Sequence, residues 1–441
     1  MKRRKFIDSI LLTTGGLMLL SKCKAPQDEI TSTPDSSPLG TITEPSREIE
    51  ILEETDVLVI GGGPSGVTAA ISAGRAGART TIVERYNHLG GLWTGGLVLP
   101  LLSTHALNRS GQQQKVIHGI PDEIAQRLKD MGMAIHEVDP VIDPEATKYV
   151  LEKMVQEAGI NMLYHCWMSN IIVENETIKA VIIESKSGRK AIMPKVVVDC
   201  TGDGDVFHLA GESYEEMKYH IGLVSRLGNI DRIDKTKPGY EEIYVGDPTP
   251  LKSVNWFNMH GENDQDGTDL HNLSKLQQKY RIDIWENTEH IRSIPGHEEV
   301  FLLDTASQLG VRVSRILDGK YKLTLDDSMS YRAFDDVIGI CGAWTSLLYN
   351  ANRVSRDNRP LWQIPYRSLV PKKTRNLLVA GRCFSFDKPL VEDARIIGTA
   401  MITGHGAGTG AAVAARSNSS VQDADINQIQ KILKDQKAYL G

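Results

Sequence analysis

Thr55-Asp56-Val57-Leu58-Val59-Ile60-Gly61-Gly62-Gly63-Pro64-Ser65-Gly66 reads as a β-branched apolar strand running directly into a glycine turn. A continuous apolar run of this kind suits a strand buried on both faces of a parallel sheet. Val67 to Gly77 (VTAAISAGRAG) is small and helical, Thr80-Thr81-Ile82-Val83 is a second strand, and Glu84 closes it. The order strand, G-x-G-x-x-G, helix, strand, acid has a physical meaning as a set. Gly61 permits the tight turn, Gly63 lets a pyrophosphate approach the backbone, and Gly66 lets helix and strand pack closely. Pro64 and Ser65 open the helix, whose free N–H groups and positive dipole end face the phosphates. Glu84 stands 23 positions after Gly61, where its carboxylate can accept from ribose hydroxyls. The expectation is a dinucleotide site.

Composition narrows the alternatives. The chain has 441 residues, 50 Lys+Arg against 56 Asp+Glu, and a net charge of −6; its pI is near 6.1 and its mean hydropathy is −0.25. Phosphate-backbone binding needs a basic face, so nucleic acid is excluded as the main partner. Length alone suggests two to three domains. Cys23, Cys166, Cys200, Cys341 and Cys383 are too widely spaced for a neighbouring-cysteine zinc or iron–sulfur site, and no metal site is expected. Nor is a disulfide framework expected at this density.

Four further glycine-bearing stretches extend the reading. Arg85-Tyr86-Asn87-His88-Leu89-Gly90-Gly91-Leu92-Trp93-Thr94-Gly95-Gly96 follows the acid. Lys195 to Asp205 is a strand entering the turn Thr201-Gly202-Asp203-Gly204-Asp205. Asn376 to Ser385 carries Gly381-Arg382, and Arg395 to Gly410 is a small-residue helix holding Gly404, His405 and Gly408. These segments resemble the FAD-dependent oxidoreductase family of two-dinucleotide-fold flavoproteins, related to the heterodisulfide reductase A subunit. The resemblance runs from about Glu53 to Gly441. It implies FAD, held by Gly61, Gly63, Pro64, Ser65, Gly66, Glu84, Arg85, Gly90, Gly91, Trp93, Thr94, Thr201, Gly202, Asp203, Gly381, Arg382, Gly404 and Gly408. In the family the last helix points its N-terminus at the flavin pyrimidine, where it favours negative charge on reduced flavin. Cys200 and His405 depart from the family's usual alanine and glutamine.

The implied fold is α/β: a Rossmann-like, doubly wound parallel sheet with a β-meander crossover and an inserted α+β cap. A helix is expected from Asp143-Pro144-Glu145 to Gly159 and a meander from Ile171 to Ile192, turning at Ser187-Gly188. The expected divisions are an export signal (1–22), a disordered tether (23–50), FAD-domain halves (51–213 and 336–416), a substrate cap (214–335) and a C-terminal helix (417–441). Within the cap, 261–269 reads as a polar loop and 270–292 as an amphipathic helix. The Gly310 to Arg315 and Ile364 to Leu369 stretches also resemble family segments. No second strand–glycine–helix–acid unit occurs in the sequence, so a resident nicotinamide is not indicated.

For chemistry, His405, Arg395 and Arg312 are the candidate catalytic residues. His405 is a possible proton donor near the flavin edge. Arg312, Arg315, Arg367 and Arg395 are candidates to bind an anionic substrate or offset reduced flavin, against a competing reading as structural ion pairs. Cys383 reads as a redox thiol or, more simply, a small buried residue. The expected activity is transfer of hydride from a small polar organic substrate to FAD, with an external electron acceptor. The alternative is an electron-transfer subunit passing electrons between partner proteins, and a further one is a flavin-binding surface protein without turnover.

The first residues read as an address. Lys2, Arg3, Arg4 and Lys5 precede an apolar stretch, Ile10 to Leu20, too short to span a bilayer, which takes about 20 residues. Arg3-Arg4-x-Phe6-Ile7 resembles a twin-arginine signal. Leu19-Leu20-Ser21-Lys22-Cys23 loosely resembles a lipobox, although Lys22 departs from the small residue usual there; a plain signal peptide or an uncleaved anchor are the alternatives. The expected location is exported, either periplasmic or tethered to a membrane through a lipid on Cys23. Ala25 to Arg47 is rich in Pro, Ser, Thr and acidic residues and suits a spacer.

Overall fold

The apolar run before the glycine turn does become a buried strand, β1, spanning Ile51–Ile60, with Val57, Leu58 and Val59 fully buried. The computed structural model describes residues 40–108, 110–342 and 361–441; the twin-arginine, lipobox and signal readings lie outside them. Residues Ile51–Gly441 form one compact unit. In the preceding unit, residues 40–50 have no regular secondary structure.

Helix α1 (Pro64–Arg75) starts with Gly63 at its N-cap and Pro64 in its first turn, a position where the missing N–H costs nothing. Its C-terminus closes through Gly77, at φ +87°, whose N–H reaches the Gly74 carbonyl. Next come β2 (Thr80–Val83), α2 (Pro144–Glu157) and β3 (Asn161–Leu163), then the meander β4 (Trp167–Glu174), β5 (Thr177–Ser185) and β6 (Gly188–Asp199). Asp143 caps α2 by accepting from Ala146 N–H at 2.9 Å, as its place before Pro144 suggested.

The insert supplies β7 (Tyr219–Gly228), β8 (Asn255–Gln265), α3 (Leu270–Ser293), β9 (Phe301–Thr305) and β10 (Gly310–Val311). Strand β11 (Leu377–Val379) and helices α4 (Ile397–Ser417) and α5 (Ile426–Asp435) complete the chain. The main sheet runs β3-β2-β1-β6-β5-β4, with β11 also on β6. Strands β3, β2, β1, β6 and β11 are mutually parallel, with Ile60 beside Asp199 and Val83, and Val197 beside Leu377. The first half of β6 pairs antiparallel with β5, and its last residues take β11 instead.

The insert's strands form a separate antiparallel sheet around β7, covered by α3. Leu276, Tyr280, Ile284, Thr288 and Ile291 lie three to four residues apart and are the buried face of that helix. One expectation fails here. The segment 261–269 is not all loop, since residues through Gln265 continue β8 and pair with β7. The last 25 residues are also not one helix: α4 runs to Ser417, and a short turn at Val421–Asp423 separates it from α5.

Candidate functional site

The parallel strands β1, β2, β6 and β11 all deliver their C-terminal ends, Ile60, Val83, Asp199 and Val379, to one edge of the sheet. Ligands of open α/β sheets sit outside that edge. Each strand there ends in one of the motifs read from sequence. Gly61, at φ +98°, lies so close to β6 that a Cβ would fall 2.5 Å from the Cys200 carbonyl oxygen. A Cβ on Gly66 would fall 1.8 Å from the Gly61 oxygen, and that contact packs α1 onto the turn. Gly63 differs: among the described residues a Cβ there would meet nothing within 4 Å, and no side chain caps α1. The helix N-terminus therefore opens onto space in front of Gly63.

The other segments close around this opening. Gly91, at φ +50°, leans on Gly63, whose Cα would lie 2.9 Å from its Cβ, and Gly90 N–H donates to the Gly62 carbonyl at 2.8 Å. Glu84 is buried and accepts from Gly62 N–H at 2.6 Å and from Tyr86 N–H at 2.8 Å. Arg85 points outward and places its guanidinium over the rings of Tyr86 and Trp167. Gly381, at φ +88°, faces Ser65, whose Oγ would lie 2.7 Å from its Cβ. The Arg382 guanidinium lies against Gly202, leaving no room there for a Cβ, and bonds Asp203 at 2.8 Å. The Arg382 Nε is buried and has no partner among the described residues. Thr201 bonds the Asp199 carboxylate, which also caps Val206 and Phe207. Burial pushes the Asp199 carboxyl up to about 6 despite those bonds.

Not every expected contact sits at this opening. Gly404 and Gly408 lie in the middle of α4 and serve helix packing: a Cβ on them would fall 2.1 Å from the Ser65 oxygen and 2.0 Å from the Ala69 oxygen. Small residues there let α4 lie alongside α1, stitched by Thr68 to Met401 (2.8 Å) and Ser72 to Thr409 (2.6 Å). His405 points out of that seam the other way. It is buried, bonds Gln436 at 2.9 Å and touches Gly119. Burial lowers its pKa to about 4, so it is a neutral packing residue and not a proton donor at the flavin. Trp93 is fully buried, with Nε1 on the Leu99 carbonyl. The Thr94 hydroxyl is spent on the Leu89 carbonyl at 2.6 Å and on His88. Both residues shape the Gly90–Gly91 turn from behind. Cys383 is buried, and its thiol is pushed well up by that burial, which suits a core residue.

A second cluster flanks the opening. Because Gly404 is level with Ser65 and the helices run parallel, the seven residues 397–403 carry the start of α4 about 10 Å past the start of α1. Just before it, the turn Val391–Ala394 carries Glu392, whose carboxylate bonds the Arg395 guanidinium and the Tyr219 hydroxyl. Arg312 comes to within 3.8 Å of the same carboxylate. The segment bearing Arg312 is anchored at both ends to the glycine segments. Ser307 and Gln308 donate to the Gly95 carbonyl at 2.9 and 3.2 Å, and Ser314 bonds Asp203 at 2.6 Å. Arg315 pairs with Asp205 at 3.1 Å, and Arg367 with Asp335 and Asp336, which fits the structural-pair reading for those two. Glu392, Tyr219 and Gln308 were missed in the sequence; the Glu392-x-x-Arg395 spacing is the only local sign of them.

These residues fit FAD. An uncapped helix N-terminus, an open face on Gly63 and an Arg382 Nε without a partner among the described residues offer donors to a diphosphate, and the buried acid after β2 offers an acceptor, as a diphosphate-linked dinucleotide requires. Sequence comparison agrees: the family model for FAD dependent oxidoreductase matches residues 56–222 and 226–433. The chain belongs to that family, and FAD is its cofactor. Among curated relatives, the thiamine thiazole synthase of Methanococcus vannielii is 31% identical over 165 residues, 34% of this chain and 57% of that protein. That of Methanococcus maripaludis strain C5 is 27% identical over 183 residues, 38% and 64% of the two chains. The chain thus spans less than two thirds of the length of either. A solved geranylgeranyl bacteriochlorophyll reductase-like protein from Thermoplasma acidophilum is 16% identical, covering 87% of this chain and 83% of that one, with a TM-score of 0.43.

Proposed function

We propose that this oxidoreductase takes hydride from a small polar organic substrate held between the insert and the sheet edge, with an external acceptor regenerating the cofactor. Bound FAD supplies the two-electron chemistry. The chain's own residues position it and shield it from water. The observation that supports the reading is the Ser307–Arg315 segment: the insert is tied to two cofactor-facing glycine segments and brings a cationic, hydrogen-bonding cluster beside them. An electron relay between proteins has no need of such a cluster.

The test is an anaerobic screen of alcohols, sugars and amines for bleaching of the flavin absorbance. Saturable bleaching by one substrate class supports the proposal; bleaching by a partner protein alone overturns it in favour of a relay. The proposal also has the reductant coming from that substrate and not from a nicotinamide. Fast, saturable reduction by micromolar NADH or NADPH in stopped flow would refute this part. We further propose that the protein works after export, directed by Arg3 and Arg4 and tethered through Cys23.

A further inference from the structure

Of the four arginines singled out in the sequence, Arg312 alone makes no hydrogen bond among the described residues. Its distance of 3.8 Å to Glu392 is an ion-pair contact too long for a hydrogen bond. Glu392 cannot come closer without cost, since Arg395 and Tyr219 already hold both its oxygens. Burial, and then the nearby Arg395, bring the Arg312 pKa down to about 10, so the charge is poorly compensated. The Arg312 side chain is 28% exposed, so its unused donors are partly sheltered yet open to a ligand.

Among the described residues the surroundings lack the missing anion. Arg312 and Arg395 contribute two positive charges and Glu392 one negative. Tyr219 is held neutral, its hydroxyl pushed up to about 12 by burial and by Glu392. His220, next to it, is pushed down by burial and by Arg312, with Nδ1 on Asn263 at 3.1 Å and Nε2 buried without a partner. Asp393, though adjacent to Glu392, acts on Cys341 and does not figure among the charges that shift Arg312. Among the described residues the balance is one uncompensated positive charge. Among the described residues two further buried atoms lack partners: the Arg395 Nε, and the amide nitrogen of Gln308, four residues before Arg312 and against Gly95.

We propose that Arg312 and Arg395 form an anion subsite that binds a carboxylate on the substrate, Arg312 gripping it with the free fork of its guanidinium. A single excess charge matches a monoanionic carboxylate better than a dianionic phosphate, and the planar fork matches the two carboxylate oxygens. The start of α4 adds its positive dipole end to the same place. This inference rests on the oxidoreductase reading above and names its substrate class.

The experiment titrates the FAD-loaded protein with acetate, glycolate and lactate, with their uncharged amides, and with inorganic phosphate, following flavin difference absorbance. Carboxylates are expected to give saturable changes that the amides do not. Arg312→Gln should weaken carboxylate binding at least tenfold with FAD content unchanged, and Arg312→Lys should recover part of the loss. Amides binding as well as acids, phosphate binding more tightly, or no carboxylate response would overturn the proposal. So would an Arg312→Gln protein that shifts the flavin potential yet keeps full carboxylate affinity. The acid–amide comparison uses the unaltered protein and stands even where a variant fails to fold. Bleaching by an uncharged alcohol without carboxylate binding sinks this inference and leaves the oxidoreductase reading. Carboxylate binding with no reductive bleaching by any substrate does the reverse.

Discussion

Gly66 stands so close to Gly61 that a Cβ on it would lie 1.8 Å from the Gly61 carbonyl oxygen, whereas a Cβ on Gly63, three residues earlier, would touch nothing within 4 Å among the described residues. The two glycines of one fingerprint are therefore glycine for different reasons. Gly66→Ala collides with backbone and should destabilise the protein by about 3 kcal/mol or more. Gly63→Val has an ordinary φ of −68° and open space, so it should fold with a thermal midpoint near that of the parent but purify without FAD. Thermal melts alongside released-flavin absorbance check this. A yellow Gly63→Val protein, or a colourless parent that cannot be reconstituted with FAD, would contradict the site.

Glu84 is expected to matter through both of its oxygens. They accept from Gly62 and Tyr86 N–H groups, and a hydrogen bond to a charged partner contributes roughly 1.5–3 kcal/mol. Glu84→Gln turns one acceptor into a donor facing a backbone donor. The outcome should be a lower melting temperature and at least tenfold weaker FAD binding, measured by fluorescence titration of the apoprotein.

His405 predicts an acid sensitivity. Its pKa is near 4 in the fold and about 6.5 when unfolded, so the unfolded chain takes up a proton first as pH falls. Stability from this group is complete above about pH 6.5 and drains away between there and pH 4, by of order 3 kcal/mol. Asp199, raised to about 6, slopes the other way over part of that range, but it is common to parent and variant. His405→Gln cannot titrate and offers Gln436 a similar partner. Denaturant melts at pH 7 and pH 4.5 should show the variant losing less stability on acidification than the parent; equal losses would rule the assignment out.

For export, replacing Arg3 and Arg4 with lysine should leave folded protein in the cytoplasm, and Cys23→Ala should release protein from membranes. Cell fractionation with mass measurement of the mature N-terminus decides both. Export in cells lacking the twin-arginine machinery, or a mature protein of unmodified mass, would refute the respective step.

Much of this architecture is legible locally. The runs at 55–66, 80–84 and 143–159 carry their own turn and cap signals, and the structure places elements there. The misreadings have long-range causes. Residues 261–265 are polar and glycine-containing, and they become strand only because β7 supplies a partner some 40 residues earlier in the chain. Gly404 and Gly408 are spaced for one face of a helix. That spacing is the same whether the face meets a ligand or, as here, the carbonyls of α1. His405 lies on another face of the same helix, and its orientation depends on Gln436, which sequence proximity cannot reveal. The Arg312–Glu392–Arg395–Tyr219 grouping joins residues as far apart as 219 and 395.

The pairing of β6 with β11 has a consequence for how the protein is made. Val197 meets Leu377, 180 positions later, and Ser65 meets Gly381 and Gly404 later still. A nascent chain therefore displays the Gly61–Gly66 turn long before its covering residues exist. At roughly 5–20 residues per second, that interval lasts on the order of 15–60 s. The flavin pocket can close only after α4 has been made, so cofactor capture follows the synthesis of residues 381–404. Until then the small-residue face of α1, which α4 will bury, has no partner from α4.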